Sequence, residues 1–339
     1  MRYAVALVAV ALAVTAGIYL LVRPEPILLD EAGVLDDSEQ RFISEYHGYL
    51  ITDHDIDYRV VTTSTDDAIL EESVALFKRL GVGSRSEWGR GLLLVINPAS
   101  DLVRLEVGYA LEGTFPDAFV AYIQQRQMVP FFADGRVADG ILATTELIVD
   151  RAQRAAERDG FGTDEVWMMG SGGAGAQTDA RIGEGYQTPS NSIPDDDPLS
   201  APAGSPEDAL ATYFREMDAR NASPLLPIYT PDTQAMLDGR TVTPAQMDMI
   251  VRTYRDCTAE RARYNDTGRL AVIRYPPGER GCAPWFFVKS GEFWTLDLAI
   301  MSRLIRFGRT NAWHRTGAGF GEYGFAFEDW EFDGNGFPR

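Results

Sequence analysis

Residues 91–107 read GLLLVINPASDLVRLEV, and this stretch decides the fold of the first part of the chain. Its opening, GLLLVIN at 91–97, is a continuous apolar run between a glycine and an Asn-Pro pair. Such a run is typical of a central strand that is buried on both faces. The segment LVRLEVGY at 102–109 alternates apolar and polar side chains, which predicts a strand with one exposed face. Two strands of this kind predict a sheet that helices cover.

Amphipathic segments on both sides of this stretch supply the helices. After a short stalk over residues 23–29, the pattern predicts a strand at YRVVTT (58–63) and helices at 37–51, 69–81, 117–129 and 139–157. We therefore expect residues 24–158 to form one α/β domain, an αβα sandwich around a small sheet.

The composition changes after this domain. Residues 159–205 are rich in Gly and Pro and predict a partly extended linker. Residues 206–339 begin with helical patterns and continue with apolar strands around a hairpin connection at 289–292. This order predicts a second, α+β domain, with helices first and a curved antiparallel sheet afterwards. Its Trp285 and Trp294 predict either a packed core or the lining of a ligand pocket.

The chain ends in an acidic aromatic tail, YGFAFEDWEFDGNGFPR at 323–339. Aromatic side chains bordered by carboxylates are typical of a contact with a partner protein. A plain final strand is the alternative, and the sequence alone does not separate the two.

The N-terminus predicts a membrane anchor. Tyr3 to Val22 contains no charged residue, and a helix of this length spans about 30 Å, the thickness of the hydrocarbon core. A cleaved signal peptide has a shorter apolar core, and cleavage after Ala16 would leave an apolar stretch exposed. We therefore expect residues 1–23 to be a single transmembrane helix in a bacterial inner membrane, with the bulk of the chain in the periplasm.

Charge and cysteine content narrow the function further. The chain has 50 Asp and Glu against 31 Lys and Arg, a net charge of −19, which argues against binding to nucleic acid. Cys257 and Cys282 are the two cysteines. In an exported protein they predict one disulfide, which would stabilise the fold by about 3 kcal/mol, with two separate buried thiols as the alternative.

Few residues in the sequence suggest catalysis. The three histidines and two cysteines lack zinc-ligand spacing, and no phosphate-binding glycine loop or Gly-x-Ser-x-Gly motif occurs. Carboxylates at strand ends remain, and oxygen ligands of this kind suit calcium. Asp30 precedes the first predicted helix, Asp66 and Asp67 follow the first strand, and Glu112 and Asp117 follow the third. From the residues alone, metal binding and helix capping are both open.

Leu28 to Arg154 resembles the TPM domain family. The matching stretches, in the family's order and spacing, are LLDEAGVLDDSE (28–39), ALFKRLGVG (75–83), WGRGLLLVI (88–96), VRLEVGYALEGTFPDA (103–118) and VPFFADGRVADGI (129–141). The resemblance implies an αβα sandwich, membrane anchoring and, as in several members, calcium binding. Members include bacterial membrane-anchored proteins and a plant thylakoid-lumen protein that is associated with photosystem II repair and credited with acid phosphatase activity.

On the matching positions, the resemblance implies that Asp30, Glu112 and Asp117 are the metal ligands, with calcium as the ion. One departure lies beside them, because Ala110 stands where relatives usually have glycine. If that position needs a positive φ, alanine costs about 1 kcal/mol.

The sequence and the resemblance together suggest an accessory or assembly subunit of an integral membrane complex. The single anchor, a long linker that lets two domains reach separate surfaces, and the scarcity of catalytic side chains favour this interpretation over an enzyme. The resemblance makes a photosynthetic reaction centre the first candidate partner. The alternative is a metal-dependent acid phosphatase in the cell envelope, in which a cation held by the three carboxylates polarises the phosphate.

Overall fold

The computed structural model describes residues 26–64, 69–157, 180–181, 203–308 and 310–339. The predicted anchor, most of the predicted linker, and Asp66 and Asp67 lie outside these ranges. Within the described ranges, no helix combines the length and apolar character needed to cross a membrane. We call residues 26–157, together with residues 180–181, the first unit, and the described residues from 203 to 339 the second unit.

The first unit contains a mixed five-stranded sheet, counted over the described residues, in the order β1 to β5. Its strands are β1 (Leu28–Asp30), β2 (Asp57–Thr62), β3 (Gly91–Asn97), β4 (Leu102–Val107) and β5 (Ala180–Arg181). The first three run parallel, and β4 is antiparallel to both neighbours. Every residue of β3 is buried, as the apolar run predicts. Leu28 and Leu29, expected in a stalk, belong instead to the edge strand β1.

Helices lie on both faces of this sheet. They are α1 (Asp37–His54), α2 (Ile69–Arg79), α3 (Asp117–Tyr122), α4 (Val129–Ala133) and α5 (Val137–Glu157). Because side chains alternate along a strand, Leu92 and Leu94 pack with α1 and α5, whereas Leu93 packs with α2. The helix predicted over 117–129 continues to Ala133 through a π-helical segment, Ile123–Met128. The mixed α/β class is therefore confirmed for this unit.

A buried ion pair holds the loop that leads into β3. The guanidinium of Arg59 donates two hydrogen bonds to Asp57, at 3.0 and 2.7 Å, and both residues are fully buried. The Gly83 amide adds a third bond to the same carboxylate at 2.8 Å. Burial alone would raise the pKa of Asp57, but Arg59 and the backbone amides lower it below its ordinary value.

Three glycines let backbone segments meet at the edge where β3 begins and β4 ends. The Gly108 amide donates to the Gly91 carbonyl at 2.9 Å. A Cβ on Gly91 would lie 2.8 Å from the Gly83 nitrogen, and a Cβ on Gly108 would lie 3.0 Å from the Gly91 carbonyl oxygen. Gly83 also has φ of +95°, which disfavours any other residue. These positions therefore require glycine.

The second unit combines helices with a later antiparallel sheet, as predicted. Its helices are α6 (Pro206–Asp218), α7 (Pro231–Asp238), α8 (Pro244–Arg255) and α9 (Leu298–Leu304). Its strands are β6 (Arg263–Tyr264), β7 (Leu270–Ile273), β8 (Trp285–Ser290) and β9 (Phe293–Leu296), followed by the pair β10 (Ile305–Phe307) and β11 (Trp313–Arg315). The predicted hairpin joins β8 to β9 through Gly291, whose φ is +62°.

Aromatic side chains fill the core of the second unit. Trp285 and Trp294 are both buried, and the Trp285 ring centroid lies 4.9 Å from that of Tyr254. The C-terminal aromatic residues also pack inward, because Tyr323 and Phe327 are buried in a second cluster of this unit. The tail is thus neither a regular strand nor a source of free aromatic anchors.

A disulfide joins Cys257, just after α8, to Cys282, just before β8, with 6.2 Å between their Cα atoms. The disulfide predicted from the sequence is therefore confirmed.

Candidate functional site

Asp30 closes the turn that follows β1. Its Oδ1 accepts a hydrogen bond from the Val34 amide at 3.1 Å, and its Oδ2 accepts one from the Leu35 amide at 3.0 Å. The Thr62 hydroxyl donates a further bond to Oδ1. Both carboxylate oxygens are thus engaged in shaping the backbone.

Glu112 and Asp117 lie on a different part of the unit. Glu112 ends a short 3₁₀ helix, Tyr109–Leu111, and Asp117 is the first residue of α3. Both are exposed, and no hydrogen bond to either carboxylate is seen in the described part of the chain. Ala110 lies within the 3₁₀ helix and is not among the positive-φ residues, so alanine carries no backbone penalty there.

Strand direction separates the three predicted ligands. Asp30 pairs with Thr62 at the edge where the parallel strands end, whereas Val107 at the end of β4 pairs with Leu92 near the start of β3. Asp30 therefore lies at the opposite edge of the sheet from the loop that carries Glu112 and Asp117. Among the described residues, these carboxylates do not form a group with oxygens within 4.8 Å of one another. Calcium binding by this set stays a prediction.

One group with metal-ligand spacing occurs among the described residues. It consists of Cys257, Glu279 and Cys282, whose ligand atoms lie within 4.8 Å of one another. The disulfide uses both sulfur atoms, so neither is a thiolate that could bind a metal in this state.

The two units pack directly against each other. The Thr243 hydroxyl, which caps α8, donates to the Gln127 side chain, and Thr241 donates to Asp134. An apolar cluster of Tyr122, Leu147, Ala245 and Met249 lies across the same contact. The expectation that the linker lets the two domains reach separate surfaces is therefore wrong for these described residues.

A cleft runs between the two units, and we call it the interunit cleft. It has two cavities of about 730 and about 820 Å³, which share lining residues from both units, among them Tyr46, Glu146 and Phe307. The smaller cavity, the polar lobe, is also lined by His54, Asp150, Arg154, Arg252 and Asp256. The larger cavity, the apolar lobe, is also lined by Phe42, Leu142, Met236, Leu237, Met301 and Ile305, and three arginines, Arg240, Arg303 and Arg306, contribute to its lining as well.

Glu146 lies in the wall between the lobes. Burial raises the pKa of its carboxyl, although the Tyr46 hydroxyl donates a hydrogen bond to it at 3.4 Å. In the polar lobe, Arg154 pairs with Asp150 at 3.0 Å, and His54 lies 3.0 Å from the Tyr49 hydroxyl. Burial lowers the pKa of His54. The Asp150 carboxylate is thus paired, and the Glu146 carboxyl and the His54 imidazole are shifted toward their neutral forms.

Trp285 and Trp294 do not line either lobe. The ligand pocket that the sequence offered for them as an alternative is not the cleft that the structure contains. The cleft residues come from segments far apart in the chain, and amphipathic helix patterns alone do not indicate that they meet.

Comparison with known proteins identifies part of the first unit. The family model named TPM phosphatase, and described as the TPM domain, matches residues 28–151. The resemblance predicted from the sequence is thereby confirmed for this range. The solution NMR structure of the N-terminal domain of a protein from P. gingivalis is 26% identical, with a TM-score of 0.37, and the match covers 42% of this chain and 91% of that one. A search of curated proteins gave no match.

Proposed function

We propose that this chain, which carries a TPM domain at residues 28–151, is an extracytoplasmic accessory or assembly protein of an integral membrane complex. In this proposal residues 1–23 anchor it in a bacterial inner membrane and the first unit contacts the partner. The helices on both sheet faces support the αβα sandwich expected of the domain. From the resemblance, a photosynthetic reaction centre is the first partner to test.

Two exposed aromatic side chains carry the proposal. Trp88 is 68% exposed and Tyr109 is 89% exposed. Trp88 precedes Gly91 on one loop and Tyr109 follows Gly108 on another, and the hydrogen bond between those glycines joins the loops. We call Trp88 and Tyr109 the aromatic edge. Aromatic residues of this kind are enriched where one protein docks on another.

The disulfide supports an extracytoplasmic location. Disulfides form and persist in oxidising compartments such as the bacterial periplasm and are rare in the cytosol. The Cys257–Cys282 bond therefore agrees with export of the second unit. Because the two units are in contact, the first unit lies in the same compartment.

Site-specific photocrosslinking tests the accessory role. A photoreactive amino acid at position 88 or 109 should trap a membrane protein in native membranes. The same substitution at Tyr264, an exposed tyrosine of the second unit, is the matched control and should not. Trp88→Ala with Tyr109→Ala should reduce co-purification in mild detergent. Recovery of the unaltered chain as a free monomer from native membranes would contradict the proposal.

The name of the matching family model favours a second candidate, a metal-dependent phosphatase. Glu112 and Asp117 are exposed on neighbouring turns, and their oxygens suit a hard cation that polarises a phosphate. A purified chain that hydrolyses a phosphomonoester in the presence of calcium or magnesium, with activity abolished by Glu112→Ala, would replace the accessory role. If the unaltered chain and the Glu112→Ala variant both show negligible phosphomonoester hydrolysis, the phosphatase candidate is excluded.

A further inference from the structure

The interunit cleft plays no part in the accessory role proposed above. We propose that it is a binding site for an amphiphile with an anionic head group. The apolar body of this ligand lies in the apolar lobe, and its head group receives hydrogen bonds from Arg252 in the polar lobe.

The apolar lobe presents hydrophobic side chains of both units to one space. Phe42 on α1 and Phe307 on β10 are 53% and 50% exposed, and both line this lobe. Large apolar side chains that are half exposed at a shared cavity mark a surface suited to an apolar ligand. Its volume of about 820 Å³ lies within the range of small-molecule sites, about 300–1,000 Å³.

Arg252 on α8 indicates the charge of the head group. Its Nε is buried and lacks a hydrogen-bond partner, and no ion pair of its guanidinium is seen among the described residues. Two other arginines near the contact are neutralised, since Arg154 pairs with Asp150 and Arg220 pairs with Asp248. Arg240, Arg303 and Arg306, which line the apolar lobe, add positive charge on that side of the cleft. The Arg252 Nε is shielded from solvent, so the terminal N–H groups of its guanidinium are the donors that a ligand carboxylate or phosphate in the polar lobe would engage.

The neighbouring carboxyl groups permit an anion here. Glu146, in the wall between the lobes, is shifted toward its neutral form by burial. The negative charge of Asp150 is balanced by Arg154. These two features reduce the repulsion that a head group in contact with Arg252 would otherwise meet, and Asp256 remains the acidic group that faces solvent at the rim.

Calorimetric titration of the full chain with amphiphiles of equal tail length tests the proposal. The probes are dodecanoate and dodecyl phosphate as anions, dodecyltrimethylammonium as the cation and dodecyl maltoside as the neutral compound, each below its micelle concentration. We expect both anions to bind about tenfold or more tightly than the cation and the neutral compound. Inorganic phosphate alone should bind much more weakly than dodecyl phosphate.

Two variants and one control test which residues contact the head group and which contact the apolar tail of the ligand. Arg252→Gln should weaken the anions about tenfold and leave the neutral compound unchanged, whereas Arg255→Gln, on the same helix but outside the cleft, should change nothing. Phe42→Ser, at an exposed position that should not affect folding, should weaken all amphiphiles.

Three results would overturn the proposal: equal affinity for anionic, cationic and neutral probes, phosphate binding that does not depend on a tail, or anion binding that survives Arg252→Gln in a folded protein. The crosslinking experiment at the aromatic edge does not depend on amphiphile binding. A negative result in one experiment therefore contradicts one proposal and leaves the other unaffected.

Discussion

The Tyr122 hydroxyl of the first unit donates a hydrogen bond to Oδ2 of Asp248 in the second unit, at 2.8 Å. The two residues are 126 positions apart, and both are buried. Arg220 donates two further bonds to the same carboxylate, each at 2.9 Å. A phenol from one unit thus completes an ion pair of the other, in which the Asp248 carboxylate is buried, and this hydrogen bond couples the two units.

Tyr122→Phe should destabilise the protein by about 1.5–3 kcal/mol, the range for a hydrogen bond to a charged group. Urea denaturation followed by circular dichroism measures this. Tyr109→Phe is the matched control, because its 89% exposed phenol makes no hydrogen bond seen in the described residues and its loss should change stability little. Equal stability of both variants would show that the interunit bond contributes nothing in solution.

Arg59→Met should cost about 3–5 kcal/mol, because it leaves the buried Asp57 carboxylate without its charged partner. Lys78→Gln, on the exposed side of α2, is the control. The folded-state pKa of Asp57 is lowered, so its contribution is present above the ordinary carboxyl pKa of about 3.9 and is lost as the pH falls toward the folded value. The stability deficit of the variant should therefore be full near neutral pH and shrink as the pH falls below the ordinary carboxyl pKa, and a deficit that does not vary with pH would contradict this.

Reduction of the Cys257–Cys282 disulfide should lower stability by about 2–4 kcal/mol. The measurement is the melting temperature with and without a phosphine reductant. A double Cys→Ser variant should start at the lower value and show no response to the reductant. A response of the double variant would show that the reductant acts elsewhere.

Calcium titration separates the three predicted ligands. Asp30→Asn should lower stability without calcium, because the carboxylate shapes the turn after β1. Glu112→Ala and Asp117→Ala should each change stability by about 1 kcal/mol or less, since both residues are exposed. If calcium raises the melting temperature and the Glu112 and Asp117 variants abolish that rise, the ion binds at their loop. If only the Asp30 variant loses the rise in melting temperature, calcium binds beside Asp30, at the opposite edge of the sheet from Glu112 and Asp117.

Glu146→Gln tests the buried carboxyl in the interunit cleft. A raised folded-state pKa means that Glu146 contributes most below the ordinary carboxyl pKa and that this contribution is lost as the pH rises through the folded value. Relative to the wild type, the glutamine variant should therefore gain stability as the pH rises from 4 to 8. Denaturant midpoints at several pH values measure the difference. A difference that does not vary with pH would mean that Glu146 titrates as it would in water.

Helices, strands and turns that depend on residues close together in the sequence were predicted correctly. The apolar run at 91–97 is β3, and α1 begins where Asp36 and Glu39 form a capping box. The hairpin through Gly291 follows from a turn residue between two apolar segments. In each case the deciding residues lie within a few positions of one another.

Relations between distant residues were not predictable in this way. The interunit cleft depends on α1 and α5 meeting α8, and an amphipathic pattern does not name its partner. The separation of Asp30 from Glu112 did have a signal in the sequence. The connection between β3 and β4 is too short for a parallel crossover, so β4 had to run back and carry Glu112 to the other edge. No pattern in the sequence indicates that the Nε of Arg252 lacks a hydrogen-bond partner.

The contact among Gly83, Gly91 and Gly108 has a consequence for recognising other chains built in this way. A Cβ on Gly91 or Gly108 would meet the backbone of another member of the trio, and a Cβ on Gly83 would meet the Gly89 carbonyl oxygen at 2.9 Å. Because backbone atoms block all three positions, a substitution at one is not rescued by a side-chain change at the next. The intervals between them amount to a three-point fingerprint of the sheet edge. A sequence that keeps one or two of these glycines and loses the third should hold Trp88 and Tyr109 at a different angle, and on the docking proposal it should accept a different partner.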